Sequence, residues 1–500
     1  MLVKKLIISA LLAAVITGCC STPIDVETVS KKKHNVLLIC VDDLRSELGC
    51  TGQSYMHTPN IDSLAQSGRL FTNHYAHQAA CGPSRCTLLS GTRTDNWVYF
   101  RSKKKTLPKN EAVTLPELFQ NAGYSTATIG KVDHAFGSKI RGFETDASDY
   151  GPWKDCARAS FGYANGVSYH KKLWPKQKPE HLPWEGADVA DTSYPDGLSS
   201  QAAVKQLQVL SKGDKPFFLA VGFHKPHLPF CAPKKYWDLY DREKLPVASW
   251  KQKPRGVKPD WTLHHGTIKN YEPTTHYKWL WGDFNVPEEQ GKTLRHAYSA
   301  CISYMDAQVG NVLDEVTRLK LQDDTIVVLW SDHGWHLGEH GIWGKFTLHD
   351  VSVRSPLIVR VPGVGNAGKK SAGLVETVDI LPTLCQLAGI KCGKRFEGTS
   401  FAANVLDPSL SARDSALSNL PVDHGQRGWS IKTATHRYTR WYKDWHCKEI
   451  ILEEFYDHKI DPDETNNIAA NPSNALINHR KIMDRRLKEA NIMRVYGKIK

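Results

Sequence analysis

The stretch Cys81-Gly82-Pro83-Ser84-Arg85-Cys86-Thr87-Leu88-Leu89-Ser90-Gly91 joins a potential sulfur nucleophile to a potential anion site. Pro83 suits the first position of a helix, where its missing N–H removes no hydrogen bond. That reading puts Cys81 just ahead of the helix. Free backbone N–H groups and a partial positive charge gather at such an end and attract anions. Arg85 adds a fixed cation one turn in. A buried cysteine before an ordinary helix is the competing reading, since free cysteines are often buried. A disulfide between Cys81 and Cys86 would span a helix start with poor geometry.

Further chemistry collects where apolar runs end. Val36-Leu37-Leu38-Ile39-Cys40-Val41 suits a strand buried on both faces, and it stops at Asp42-Asp43. Adjacent carboxylates repel each other unless a cation or a proton intervenes, and a hard divalent metal answers that economically. A helix cap beside a surface acid is the alternative. Tyr124 to Ile129 runs into Gly130-Lys131-Val132-Asp133-His134. Pro216 to Gly222 runs into Phe223-His224-Lys225-Pro226-His227. Asp324-Thr325 opens Ile326 to Trp330, which ends in Ser331-Asp332-His333. Ligands of open α/β sheets bind beyond the carboxyl ends of strands. Four such ends meeting in one cleft favour a site over four coincidences.

The elements that must position these residues read as α/β, with a large, mainly parallel sheet flanked by helices and right-handed crossovers. Helices are expected over Leu115–Ala122, Ala202–Leu210 and Ala297–Leu319, the last with Ile302, Met305, Val309 and Val312 on one side. Residues 150–195 and 232–290 are rich in Trp, Lys and Pro and read as insertions of the kind that bind substrate. After residue 410 the rhythm changes. Trp429–Thr433, Arg437–Trp441 and Glu454–Asp457 read as antiparallel strands, and Asn474–Ala490 as a closing helix. The expected division is a catalytic domain over 34–410 and a smaller α+β subdomain over 411–500.

Five hundred residues with 41% hydrophobic and 23% charged side chains fit a folded globular chain rather than a disordered one. Lys4 and Lys5 precede an apolar core, Leu6 to Ile16, too short to span a bilayer. Ile16-Thr17-Gly18-Cys19 resembles a bacterial lipoprotein processing site. It predicts a signal over 1–18, lipidation of Cys19 and a tether over 19–33. A plain secretory signal is the alternative. Either predicts export to the periplasm or cell surface. The net charge of +13 favours anionic partners such as acidic polysaccharide or membrane surfaces. No compact nucleic-acid motif is present. The twelve cysteines match no zinc framework, and export would permit disulfides.

Cys81-Gly82-Pro83-Ser84-Arg85 followed by Leu89-Ser90-Gly91 resembles the signature of the type I, formylglycine-dependent sulfatases of the alkaline phosphatase superfamily. The resemblance is greatest to the iduronate-2-sulfatase branch. Gly130-Lys131-Val132 with His134, Phe217 to Pro229, Ser303-Tyr304-Met305-Asp306, and Ser331 to Trp335 with Leu337 to Gly341 carry it along the chain. Arg437-Tyr438-Thr439 and Asp461-Pro462 with Glu464-Thr465 extend it to the C-terminal region.

This resemblance implies an alkaline-phosphatase-like fold and hydrolysis of sulfate esters through a formylglycine hydrate made from Cys81. It implies one calcium ion held by Asp42, Asp43, Asp332, His333 and the modified Cys81, with magnesium or manganese as alternatives. Asp332 would take the nucleophile's proton. Arg85, Lys131 and Lys345 would neutralise sulfuryl oxygens, and His227 would protonate the leaving sugar oxygen. His134 would deprotonate the remaining hydroxyl so that sulfate leaves, and His224 would touch substrate. The implied partners are a sulfated polysaccharide or oligosaccharide and a maturation enzyme, either formylglycine-generating or anaerobic. Many members place Asn where His333 stands, and residues 94–106 and both insertions depart from the human-type lysosomal pattern. A phosphomonoester or phosphonate hydrolase of the same superfamily is one alternative. A non-catalytic polysaccharide-binding lipoprotein whose Cys81 stays a thiol is another.

Overall fold

The computed structural model describes residues 32–93, 113–134, 140–146, 183–257, 286–365, 367–392, 396–422, 426–444 and 447–490. The expected signal over 1–18, Cys19 and much of both insertions lie outside them. No helix among the described residues is long and apolar enough to cross a membrane.

Eight strands form the central sheet: β1 (Asn35–Val41), β2 (Arg69–Tyr75), β3 (Ser125–Gly130), β4 (Thr145–Asp146), β5 (Phe217–Phe223), β6 (Thr325–Ser331), β7 (Leu357–Arg360) and β8 (Lys370–Glu376). Their order is β8-β2-β7-β6-β1-β5-β3-β4. All pairings are parallel except those of β7, which runs antiparallel to β6 and β2. The chain turns back from β6 to β7 through a short antiparallel ribbon, His336–Leu337 with Trp343–Gly344, and the short helix Asp350–Val353, with no long helix between them. A parallel return would need a full crossover.

The alternation of β1 explains why it is apolar throughout. Leu37, Ile39 and Val41 enter one core with side chains of α1 (Pro59–Ser67), α4 (Pro195–Leu210) and α5 (Glu288–Arg318). Val36, Leu38 and Cys40 enter a second core on the opposite face. There they meet α2 (Cys81–Ser90), α3 (Leu115–Asn121) and α6 (Ile380–Leu387). The sheet is thus covered on both sides, as parallel strands require.

Two helices begin earlier than their apolar patterns suggest. α4 starts at Pro195, which is tolerated at a first helical position. α5 starts at Glu288, where Glu288 and Glu289 sit favourably at the positive end of the helix dipole.

The C-terminal sheet has four antiparallel strands: β9 (Ala416–Pro421), β10 (Arg427–Lys432), β11 (His436–Tyr442) and β12 (Ile450–Asp457), with α7 (Asn474–Glu489). Buried charges tie it to the main sheet. Glu376, at the end of β8, pairs with Arg93, Arg413 and Arg486. Glu464 pairs with Arg437 and His349, and Arg437 also reaches Asp350.

Candidate active site

Register decides which side chains meet. Val41 pairs with both Phe223 and Ser331, and Gly130 pairs with Gly222. The adjacent strands β6, β1, β5 and β3 therefore end within a residue or so of one another. Asp332, Asp42, His224 and Lys131 leave the sheet side by side. The turn into Lys131 needs its glycines. A Cβ on Gly222 would lie 2.1 Å from the carbonyl carbon of Lys131.

α2 supplies the next group. Cys81 is its first residue and Ala80 its N-cap, so Cys81 lies inside the helix rather than ahead of it. Pro83 is the third helical residue, still in the turn whose N–H groups lack intrahelical acceptors. Cys81 is buried, with its Sγ 3.9 Å from Asp43 Oδ1 and 2.7 Å from Lys345 Nζ. Burial, with the charge of Asp42, pushes its thiol well above the ordinary value. As a thiol this residue is a poor nucleophile. Ser84 Oγ donates to the carbonyl of Asp332 at 2.6 Å and locks the helix to the end of β6.

Arg85 is buried beneath the carboxylates. Its Nε donates to Asp332 Oδ2 at 3.0 Å, and its guanidinium also donates to the carbonyl of Lys131. It stands 3.6 Å from Asp42 Oδ1. Lys131 donates to Asp42 Oδ2, and Lys345 donates to Asp43 Oδ1.

Three buried carboxylates meet here. Burial opposes ionisation of Asp42, but Lys131, followed by His227, Arg85 and Lys345, outweighs it and holds the carboxyl well below its usual range. Asp43 goes the other way, to about 6, because burial and Asp42 outweigh Lys345. Burial and the charge of Asp42 raise Asp332 to about 8 against the pull of Arg85. The protein's own cations do not keep all three ionised near neutrality.

A divalent cation fits this donor set. Among the described residues, Asp42 Oδ1, Asp43 Oδ2 and His333 Nε2 are buried without a hydrogen-bond partner. His333 Nε2 lies 3.5 Å from Asp43 Oδ1 and 3.6 Å from Asp332 Oδ1, while its Nδ1 contacts the Gly334 carbonyl at 3.0 Å. Asp42, Cys81, Asp332 and His333 offer ligand atoms that all lie within 4.8 Å of one another. So do Asp42, Asp43, Cys81 and His227. Carboxylate-rich sites of this kind suit hard cations.

His227 Nε2 faces the pair, 4.0 Å from Asp42 Oδ2 and 3.9 Å from Asp43 Oδ2. Its Nδ1 contacts the Leu228 carbonyl at 2.6 Å, which fixes the ring and makes Nδ1 the N–H donor. Burial and Lys131 hold it well below its ordinary value. An arriving anion would raise it again. His224 is buried at the end of β5, and His134 is exposed, three residues beyond Lys131.

Supporting groups carried no sequence signal of their own. Asp196, in the first turn of α4, accepts from the backbone N–H groups of His224 and Lys225, each at 2.8 Å. The Tyr298 hydroxyl donates to the carbonyl of Asp43 at 2.7 Å. Lys225 Nζ donates to the carbonyls of His227 and Pro229. These contacts hold the loops that carry the site: Asp196 and Tyr298 reach them from elements distant in sequence, and Lys225 braces its own loop.

Residues 34–390 match the family model described as Sulfatase. Residues 338–492 match the N-sulphoglucosamine sulphohydrolase C-terminal model. The chain belongs to the sulfatase family.

The iduronate 2-sulfatase of Mus musculus is 34% identical over 504 residues, covering 85% of this chain and 90% of that protein. A solved structure in complex with its substrate, D-glucosamine-2-N,6-O-disulfate, superposes with a TM-score of 0.69 at 21% identity. It covers 92% of this chain and 98% of that one. The phosphonate monoester hydrolase of Agrobacterium radiobacter superposes with a TM-score of 0.71 at 23% identity over 91% of this chain and 96% of that one. At such identities these two structures speak to the fold alone. This sulfatase is a sulfuric ester hydrolase with the alkaline-phosphatase-like architecture.

Proposed function

We propose that this sulfatase removes sulfate from a uronate-containing sulfated polysaccharide or its oligosaccharides, with formylglycine in place of Cys81. The supporting observation is the position of the Cys81 side chain, against Lys345 and facing Asp43 among the metal-type donors. The iduronate 2-sulfatase relative suggests the sugar class.

Asp42, Asp43, Asp332, His333 and residue 81 would hold one calcium ion. A bound divalent cation would screen the sulfate charge and lower the pKa of the nucleophile. A formylglycine hydrate at position 81 would supply a hydroxyl nucleophile.

The remaining work falls to this chain's own side chains. Lys131 and Lys345 present ammonium groups to the sulfuryl oxygens, where charge redistributes in the transition state. Arg85 fixes Asp332 and the Lys131 turn, and adds its charge from beneath. Asp332 accepts the nucleophile's proton. His227 Nε2 donates a proton to the leaving sugar oxygen. His134 would remove a proton from residue 81 as sulfate leaves, and His224 would contact the sugar.

The N-terminal segment supports export as a lipoprotein anchored through Cys19, after or alongside action of a formylglycine-forming enzyme. Desulfation assays on defined sulfated oligosaccharides test the substrate class, with aryl sulfate, aryl phosphate and a phosphonate monoester run in parallel. Release of sulfate from uronate 2-sulfate is expected to exceed all other turnover. Preferential hydrolysis of the phosphonate would overturn this reading.

A further inference from the structure

Outside the active site, one pair of thiols is built to join. Cys385 is buried near the end of α6, and Cys392 is half-buried seven residues on. The chain reverses between them. Gly389 takes a φ of +68°, and the Ile390 N–H donates to the carbonyl of Cys385 at 2.8 Å. This is the backward-bonded ending in which glycine closes a helix. The reversal brings Cys392 back onto the apolar cluster that contains Cys385, where each thiol perturbs the ionisation of the other.

We propose that Cys385 and Cys392 form a disulfide in the mature sulfatase. The bond rests on the export reading, because oxidising compartments preserve disulfides. The contact with Cys385 lowers the pKa of the Cys392 thiol, and Cys392 is also the more accessible of the two. It is therefore the attacking group. Its thiolate displaces one sulfur of an oxidised thiol–disulfide oxidoreductase and forms a mixed disulfide. Cys385 loses its proton, attacks the Cys392 sulfur and expels the oxidoreductase as a dithiol. Two protons and two electrons leave the pair, and the oxidoreductase disulfide takes up the electrons.

Residues Glu397 and Thr399, a few positions beyond the pair, brace α2 and the start of α6. Glu397 N–H donates to the carbonyl of Gly91, the residue that closes α2, at 2.9 Å. Thr399 N–H donates to Asp379 Oδ1 at 2.7 Å, and Arg93 N–H donates to Glu397 Oε2 at 2.8 Å. The helix that carries Cys81 is held at its far end by this segment.

The test uses the full-length protein, equilibrated in an oxidising glutathione buffer, alkylated and digested without reduction. A linked Cys385–Cys392 peptide is expected, together with a melting temperature roughly 3 °C or more above the dithiothreitol-treated protein. Cys392→Ser is expected to melt with the reduced protein, show no response to dithiothreitol and keep its turnover. Alkylation of both thiols after oxidation, or linkage of either to a different cysteine, would overturn the pairing. A pair that links in the buffer but is alkylated in protein taken from the native host supports the pairing and overturns export instead.

Discussion

Lys345 and His227 divide the electrostatic work at the centre of the site, and their variants should differ in kind. Lys345 contacts both the side chain of residue 81 and Asp43. Lys345→Ala is expected to lower kcat by roughly 10²–10³ on every sulfate ester, the scale of a lost transition-state donor. His227 faces the carboxylates through Nε2 while its Nδ1 is tied to a backbone carbonyl. If it protonates the leaving oxygen, His227→Gln should depend on the leaving group. A loss of about 10² or more is expected on a sugar sulfate, and much less on an activated aryl sulfate that leaves without a proton. Equal losses on both would remove His227 from the acid role.

The elements work by register. Four neighbouring strands end together, and close approach of β5 to the Lys131 turn depends on Gly222. Gly222→Ala should displace Lys131 from Asp42. Lower activity with a modest fall in melting temperature is expected, and unchanged kinetics would contradict this use of the glycine. These central strands were readable in the sequence because both faces are buried, which makes Val36 to Val41 and Ile326 to Trp330 continuous apolar runs. β2 and β8 were not. β2 buries Arg69 and His74 through partners far along the chain, Val405 and Ser355. β8 is interrupted by Gly373 and a register shift. The site residues were readable because chemistry sat at strand ends. Asp196 was not, since its role rests on contact with a loop nearly thirty residues away. The entry of Cys81 into α2 also escaped the pattern, because Pro83 is tolerated throughout a first turn.

Across the whole molecule, buried charge and buried imidazoles join the main sheet to the C-terminal one. Glu376 is fully buried against Arg93, Arg413 and Arg486, and these three, Arg413 first, hold its carboxyl below the usual range despite burial. Glu376→Gln leaves three arginines short of a counter-charge and is expected to destabilise the fold by about 3 kcal/mol, measured by chemical denaturation. Acid should loosen the same region. Burial lowers His74 to about 4 while it contacts Ser355 and Thr377. Between 6.5 and that value the unfolded chain binds more protons than the folded one. Stability is therefore complete above pH 6.5 and falls as pH drops toward 4, by about 2 kcal/mol at pH 5 from this residue alone. Melting curves from pH 7 to pH 4.5 check this, and His74→Gln should flatten the fall.

The central claim is that residue 81 acts as an oxygen nucleophile derived from cysteine. Mass spectrometry of the peptide spanning residue 81, from active enzyme purified from its native host, tests it most directly. The account predicts an aldehyde at position 81 that reacts with a hydrazide probe, at an occupancy that tracks specific activity across preparations. Fully active enzyme carrying an intact Cys81 thiol would contradict it.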